Sequence, residues 1–170
     1  MPTLVLVRHA KAERPVADQP DHDRALTLAG RASATQLGER LARAGVNPDY
    51  AIVSSALRTQ QTWQLMAAAF GEAEVVTSRD VYDTDDEGLH ELIREVPDSV
   101  ETLVVVGHEP TISATTAALA AQGSDTRALQ RVAHGFPTGT AAVLELEGAW
   151  ADLELRGAQL NAMLSADVQY

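Results

Sequence analysis

Short apolar runs alternate with longer stretches of helical spacing along the chain. Four consecutive aliphatic residues between polar neighbours predict a strand at Thr3–Val7, and the "TLVVV" run at Thr102–Val106 has the same character. Such runs are typical of parallel strands that are covered on both faces. Shorter runs predict two more strands, at Tyr50–Val53 and Glu74–Thr77. Together the four runs favour a mainly parallel sheet.

The stretches between these runs have the spacing of helices. Thr27 is a suitable N-cap, because its hydroxyl can accept a hydrogen bond from the first turn, and Gly45 is a suitable stop. Pro110 suits the first turn of a later helix. The predicted helices run from Thr27 to Gly45, from Ala56 to Phe70, from about Asp86 to Val96, and from Pro110 to about Gln122.

The last third of the chain has a different pattern. Residues 124–137 are mixed, whereas "GTAAVLELEGAWADLELRG" predicts an antiparallel hairpin around Gly148. Two alternatives are open for the tail from Gly157 to Tyr170, a final helix or a frayed end. Strands that alternate with helices predict an α/β fold. We expect one three-layer α/β/α domain over residues 1–170, with a mainly parallel central sheet and an antiparallel edge.

Composition narrows the classes of function. A chain of 170 residues, 45% of them hydrophobic, is long enough to bury a core as one domain. The absence of cysteine excludes disulfides, thiolate catalysis and cysteine-based metal sites. A net charge of -11 repels phosphate backbones, so we expect no nucleic-acid partner. No signal peptide or membrane span is visible, so we expect a cytoplasmic protein without a membrane partner.

Two histidines directly follow the two strongest strands. His9 comes after Arg8, His108 comes after Gly107, and Arg58 lies in the first turn of the second predicted helix. Parallel sheets bind ligands outside the carboxyl ends of their strands, and arginines beside a helix N-terminus bind oxyanions. A lone histidine at a strand end is most often structural, but convergence of these side chains would form a phosphate site. The chain has no His-Glu-x-x-His pattern, so no zinc site is predicted.

Five segments, in order along the chain, match one known family. They are "LVLVRHAKAE", "DHDRALTLAG", "SSALRTQQT", "VVVGHEPT" and "FPTGTAAVLEL". On these segments the chain resembles the histidine phosphatase superfamily, whose fold is phosphoglycerate mutase-like, and it is most similar to the short bacterial SixA-type phosphohistidine phosphatases. Three residues depart from the usual pattern, Ala10 for glycine, Ser55 for proline and Glu109 for asparagine. Alanine is tolerable at position 10 if its φ is negative.

The resemblance implies a role for each residue at the sheet edge. His9 is the expected nucleophile, which becomes a phosphohistidine that water then hydrolyses. Arg8, Arg58 and His108 are expected to bind the phosphoryl oxygens, and no metal or other cofactor is implied. Attack needs a neutral imidazole, so we expect activity to fall as the pH drops through the ordinary histidine range.

The general acid is open between two candidates. Glu109 is one, because acid-phosphatase relatives carry a proton donor directly after the second histidine. Asp83 is the other, in the run "SRDVYDTDDEG" that stands where larger relatives have a glutamate. The run also offers Asp80, Asp85, Asp86 and Glu87. Alternatively, the run is only a solvated loop and helix N-terminus, since a phosphohistidine leaving group has less need of an acid.

The length of the chain favours a protein substrate. Only about twenty residues separate the third strand from "TLVVV", too few for the helical insertion that covers the active site in the sugar-phosphate mutases of this superfamily. We therefore expect an open site for a phosphorylated protein of the histidine phosphocarrier type. The alternatives are a phosphomonoesterase of small phosphate esters and a phosphate-binding regulatory module without turnover. For His22 and His134 we favour surface or packing roles.

Overall fold

A computed structural model describes residues 1–166 and shows a six-stranded sheet with helices on both faces. The strands are β1 (Thr3–Arg8), β2 (Tyr50–Ser54), β3 (Glu74–Ser78), β4 (Thr102–Gly107), β5 (Thr140–Leu146) and β6 (Ala158–Ser165). The helices are α1 (Leu28–Arg43), α2 (Leu57–Ala67), α3 (Arg79–Asp83), α4 (Asp86–Arg94), α5 (Thr111–Leu119) and α6 (Thr126–Ala133). Within the described residues, no helix is both long and apolar enough to cross a lipid bilayer.

The sheet has the strand order β3-β2-β4-β1-β5-β6. The strands from β3 to β1 are parallel, while β5 and β6 add an antiparallel edge. β1 and β4 are neighbours at the centre, paired in register from Thr3 with Thr102 to Arg8 with Gly107. This arrangement confirms the predicted three-layer α/β/α architecture, and it makes two strong apolar runs end side by side.

β1 is buried from both faces of the sheet. Its side chains alternate, so Leu4 and Leu6 join the core beneath α3 to α6, while Val5 and Val7 join the core beneath α1 and α2. All four side chains are completely buried. Because both faces are filled, the strand and the residue that follows it have a fixed position.

The structure corrects the predicted C-terminal hairpin. β5 is present, but its partner is β6 rather than the segment just after Gly148. The indole of Trp150 is fully buried and its Nε1 donates to the carbonyl of Val100 at 2.8 Å, which holds this segment out of the sheet. The tail is therefore a strand as far as Ser165, neither a helix nor a frayed end, and residues 167–170 lie outside the described part.

The helices agree with the predictions better at their starts than at their ends. α2 ends at Ala67 and α5 at Leu119, each before its predicted end, and α3 and α6 have no counterpart in the prediction. α4 confirms the predicted short helix, and its Leu89 and Ile93 are fully buried. The segment between β3 and β4 therefore completes the core beneath the sheet.

α1 is fixed against the segment that follows His9. As predicted, Thr27 caps the helix, and it accepts a hydrogen bond from the N–H of Gly30 at 2.9 Å. The N–H of Thr27 in turn donates to the carbonyl of Lys11 at 3.0 Å. A Cβ atom at Gly30 would collide with the same Lys11 carbonyl, so a glycine is required for this close approach.

Candidate active site

The ends of β1 and β4 bring two histidines together. Beyond the paired residues Arg8 and Gly107, the N–H of His9 donates to the Gly107 carbonyl at 3.1 Å and extends the pairing by one residue. The imidazole rings of His9 and His108 lie 5.4 Å apart between centroids, with an interplanar angle of 56°. The structure therefore places both predicted histidines at one site.

The backbone holds one nitrogen of the His9 ring. Nδ1 lies 2.7 Å from the carbonyl oxygen of Ala10. A carbonyl oxygen can only accept a hydrogen bond, so Nδ1 carries the proton and Nε2 of the neutral ring keeps its lone pair. Nε2 has no hydrogen-bond partner within residues 1–166, although His9 is only 8% exposed. The lone pair of Nε2 is therefore available to a ligand.

Burial keeps the His9 ring neutral. Desolvation is the largest cause of a pKa lowered to about 4, and it outweighs the bond to Ala10, which raises the pKa. The positive charges of Arg58 and Arg8 lower the pKa further. Protonation of His9 consequently lies well below the ordinary histidine range, at a more acid pH than the sequence alone predicts.

His108 is fixed at both ring nitrogens. Nη2 of Arg58 donates to Nδ1 at 3.3 Å, so Nε2 carries the proton and donates to Oγ of Ser54 at 2.7 Å. The ring also meets Tyr82 edge to face, with 5.4 Å between centroids. Burial first, and then the charges of Arg58 and His9, lower the pKa of His108 to about 3. His108 is thus a neutral group of fixed orientation beside the nucleophile candidate.

Asp21 links the cations of the site. Its backbone carbonyl accepts from Nη1 of Arg58 at 2.8 Å, and its Oδ2 accepts from Nη2 of Arg58 at 3.0 Å. Oδ2 also accepts from the Tyr82 hydroxyl at 2.7 Å, and Oδ1 accepts from Nε of Arg24 at 2.9 Å. The Tyr82 bond is the largest of the effects that hold the pKa of Asp21 well below its usual range, and it raises the pKa of Tyr82. Asp21 is therefore a fixed anion.

Four residues of this cluster are missing from the sequence-predicted site: Ser54, Asp21, Arg24 and Tyr82. Asp21 and Arg24 belong to the "DHDRALTLAG" segment, so their spacing in the family pattern is a signal that could identify them. Tyr82 is one residue before Asp83 in the acidic run, and Ser54 ends β2. Nothing in the local sequence distinguishes these two, and only their tertiary contacts assign them to the site.

Two guanidinium groups have donors without partners. Nη1 of Arg8 donates to the carbonyl of Phe136 at 2.7 Å, but Nε of Arg8 and Nε of Arg58 are buried and bond to nothing within residues 1–166. Buried donors are normally paired, and the described residues leave the hydrogen-bonding capacity of these two N–H groups unused. Because His9 and His108 are neutral, the arginines carry the positive charge of the site. The arrangement suits a phosphoryl group or a similar oxyanion.

The structure accommodates two of the three departures from the family pattern. Ala10 does not have a positive φ, and its N–H donates to Oγ1 of Thr62 at 3.0 Å, so no glycine is needed there. Ser55 Oγ lies 2.7 Å from Nε2 of His22, whose ring meets that of Tyr82 edge to face at 4.9 Å. The packing role predicted for His22 agrees with these contacts.

Neither predicted acid is hydrogen-bonded to His9 or His108 within residues 1–166. The third departure, Glu109, accepts backbone N–H bonds at both oxygens, at 2.8 Å from Ser113 and at 3.2 Å from Phe136. These two bonds fix the Glu109 carboxylate between the start of α5 and Phe136. Asp83 pairs with Arg79 at 3.4 Å, and its side chain is 61% exposed. In the same part of the chain, no group of three or more His, Cys, Asp or Glu side chains could hold a metal ion.

Comparisons with known proteins agree with this geometry. The family model of the histidine phosphatase superfamily (branch 1) matches residues 4–98. An uncharacterised protein of Mycobacterium leprae is 35% identical over 159 residues, which cover 92% of this chain and 97% of the relative. The candidate phosphohistidine phosphatase SixA from Nakamurella multipartitia is 36% identical, with a TM-score of 0.84 and coverage of 96% and 95%. A second candidate SixA, from Agrobacterium tumefaciens, is 30% identical, with a TM-score of 0.79 and coverage of 96% and 97%.

Proposed function

Because the chain belongs to the histidine phosphatase superfamily and is a phosphatase, we propose that its substrate is phosphohistidine on a protein and that it acts through His9 without a metal ion. One observation carries the proposal. His9 is neutral, its Nδ1 is held by the carbonyl of Ala10, and its Nε2 keeps a free lone pair. Such a nitrogen can attack phosphorus at neutral pH.

In the first half of the reaction, Nε2 of His9 bonds to the phosphorus and the P–N bond to the substrate histidine breaks. Arg8 and Arg58 bind the non-bridging oxygens, whose charge they stabilise through the transition state. A phosphoryl dianion beside His108 favours the protonated imidazole, so Nδ1 of His108 takes a proton from solvent in place of its bond from Arg58. Nδ1–H then donates a hydrogen bond to a phosphoryl oxygen and keeps its proton. Positioning and charge thus supply the catalysis.

In the second half, water attacks the phosphorus and the bond to Nε2 of His9 breaks. Both protons of the water leave with the phosphate, as dihydrogen phosphate, when Nδ1 has kept its own proton. His9 then returns to the neutral form with which it began. The bond from Nδ1 to Ala10 holds that proton in place through both halves.

The carboxyl groups of the site favour cleavage of a P–N bond over a P–O bond. A substrate phosphohistidine that is protonated on its second ring nitrogen leaves as neutral imidazole, so the enzyme need not supply a proton. An alkoxide leaving group needs one. Asp21 contacts the cluster, but its pKa is held far too low for it to donate near neutral pH. Glu109 accepts two backbone hydrogen bonds, and Asp83 pairs with Arg79.

A protein substrate is supported by what lies between β3 and β4. This segment forms α3 and α4, and its Leu89 and Ile93 are fully buried in the core. α4 therefore serves the core, while α3 brings Tyr82 against His108 at the edge of the site. A segment this short adds no domain above the site, which suits a phosphorylated side chain on a large partner. The two SixA proteins, each named for phosphohistidine phosphatase activity, support the same substrate class.

Turnover of three substrates, with and without EDTA, tests this function: a phosphohistidine protein, inorganic phosphoramidate and a phosphoserine peptide. We expect phosphate release from the first two, unaffected by EDTA, and release from phosphoserine about a hundredfold slower or more, because no acid assists it. Equal or faster turnover of phosphate esters would indicate a phosphomonoesterase. Phosphate binding without any turnover would indicate a regulatory module, and loss of turnover in EDTA would contradict the metal-independent mechanism.

A further inference from the structure

A cavity of about 750 Å³ lies beside the residues that hold Arg8. Phe136 connects the cavity with Arg8. It lines the cavity, and its carbonyl accepts the hydrogen bond from Nη1 of Arg8 at 2.7 Å. The lining includes Arg127, Gln130, Arg131, His134, Phe136 and Met163. The cavity therefore adjoins the residue that positions Arg8, one of the two arginines proposed to bind phosphate. The proposed reaction does not use the cavity.

Three lining residues form a stripe along one face of α6. Arg127, Arg131 and His134 follow the spacing i, i+4, i+7, which puts them on the same side of a helix, and all three are exposed. At a rise of about 1.5 Å per residue the stripe is about 10 Å long. His134 is at the end nearest Phe136 in the chain, so the stripe leads towards the site.

This stripe contrasts with the charge of the rest of the protein. The chain has 24 acidic residues against 13 Lys and Arg, for a net charge of -11. None of the residues that line the cavity, in the part of the chain that the structure describes, is an aspartate or a glutamate. The cations on α6 are therefore a local exception in an acidic molecule.

Arg127 does not stabilise its own helix. It is the second residue of α6, in the first turn, where the helix dipole favours negative charge. Its side chain makes no hydrogen bond or ion pair within residues 1–166. A cation placed against the dipole, without a partner, and on the wall of a cavity is available to an external anion.

We propose that this cationic cavity binds an acidic segment that flanks the phosphohistidine of the protein substrate, an inference that rests on the proposed function. An acidic partner is repelled by most of the enzyme and attracted by this stripe, so it approaches in the orientation that brings its phosphoryl group to His9. A volume of about 750 Å³ accommodates several side chains rather than one carboxylate. Phe136 and Met163 supply apolar contacts beside the charges.

The variant Arg127→Glu tests this docking without harm to the helix, because a glutamate in the first turn suits the dipole. Arg43→Glu is the matched control, since Arg43 is exposed, lies in the last turn of α1 and does not line the cavity. The substrates are two phosphohistidine peptides that differ only in their flanks, one with Asp and Glu and one with Gln, and inorganic phosphoramidate.

We expect the wild type and Arg43→Glu to prefer the acidic peptide by about tenfold in kcat/KM at low salt, mainly through KM. Arg127→Glu should lose the preference and keep its rate on phosphoramidate, and high salt should reduce the preference of the wild type. Equal hydrolysis of the two peptides by the wild type, or a preference retained by Arg127→Glu, would overturn the docking alone. Hydrolysis of phosphoramidate but of neither peptide would overturn the proposed protein substrate, and the docking with it.

Discussion

Asp21 holds Arg58 through two of its atoms, the backbone carbonyl at 2.8 Å and the carboxylate at 3.0 Å, across 37 positions of the chain. Arg58 is 5% exposed, so its guanidinium has little freedom beyond these contacts. A residue of the loop before α1 thus sets the direction of a side chain on α2. The anion site depends on this loop as much as on the strands.

Replacement of Asp21 by asparagine should misplace Arg58. We expect kcat/KM for phosphoramidate to fall by up to about a hundredfold, the size of loss that small displacements of a positioning group produce. The Tyr82 bond to the carboxylate raises the pKa of Tyr82, so the same variant should lower that pKa towards its ordinary value. Ultraviolet titration of the tyrosines measures the second effect.

Asp18→Asn is the control for this variant, because Asp18 is exposed in the same loop and asparagine tolerates its positive φ. It should leave both kcat/KM and the tyrosine titration unchanged. A loss of activity in Asp21→Asn without a change in the tyrosine titration would contradict the role given to the carboxylate.

Rapid quench with radiolabelled phosphoramidate should trap the phosphoryl group on His9. We expect an acid-labile, base-stable label on the wild type and none on His9→Gln, together with a fall in kcat of about a thousandfold or more, because a glutamine cannot form the intermediate. His90→Gln should retain the label, since His90 only bonds to the carbonyl of Leu153. Label on His9→Gln would assign the nucleophile to another residue.

The pH profile should differ from that of an ordinary histidine. His9 has a pKa of about 4, so its lone pair persists as the pH falls from 7 to about 5. We expect kcat/KM for a substrate of constant ionisation to stay level over that range and to fall near pH 4. A fall centred near 6.5, the ordinary value, would show that burial does not control this group.

Stability should also decline on acidification. In the folded state the pKa values of His9 and His108 are about 4 and about 3, below the ordinary 6.5. Between these values the unfolded chain binds more protons than the folded one. The contribution of the two histidines to the free energy of unfolding is therefore fully present above about pH 6.5 and decreases as the pH falls below it. Urea midpoints at pH 7, 5.5 and 4.5 measure this trend. The double variant His9→Gln/His108→Asn should show a shallower decline.

Gly30→Ala tests the contact between α1 and the segment after His9. The new Cβ would collide with the Lys11 carbonyl, and overpacking of this kind costs about 1–3 kcal/mol. We expect a lower urea midpoint and a lower kcat/KM, because Lys11 is two residues from His9. Gly148→Ala is the control, since its Cβ would meet nothing within 4 Å. Equal effects of the two variants would contradict the close approach.

Local pattern was enough for the centre of the fold and for four side chains of the site. The apolar runs of β1 and β4 identify strands, and the residues after them, His9 and His108, follow from the rule that ligands bind at carboxyl ends. β6 could not be predicted, because the exclusion of its neighbouring segment depends on a bond from Trp150 to Val100. α6 has only eight residues and buries only Ala128 and Val132, so its apolar face spans too few turns to identify a helix from spacing alone.

Contacts within the site were less accessible to sequence reasoning. The location of Arg58 can be predicted because it lies in the first turn of a predicted helix. The orientation of its side chain depends on Asp21, which lies in a loop without any periodic pattern that would predict its path. Glu109 and Asp83 were chemically plausible acids, and only their hydrogen bonds and exposure show how each is used. Residue type and spacing predict the groups that are proposed to react, whereas tertiary geometry is needed to find the groups that position them.

The two halves of the site differ in how they are anchored. His9 and His108 follow central strands, whose amides open to hydrogen exchange only when much of the molecule unfolds, whereas Asp21 lies on a 3₁₀ turn, Asp21–Asp23, with no buried residue. Local opening of that turn would free Arg58 while the histidines stay side by side. Phosphate affinity should therefore be lost at a lower denaturant concentration than the circular dichroism signal of the folded chain. The protein would then pass through a folded state in which His9 and His108 stay in place but the anion no longer binds.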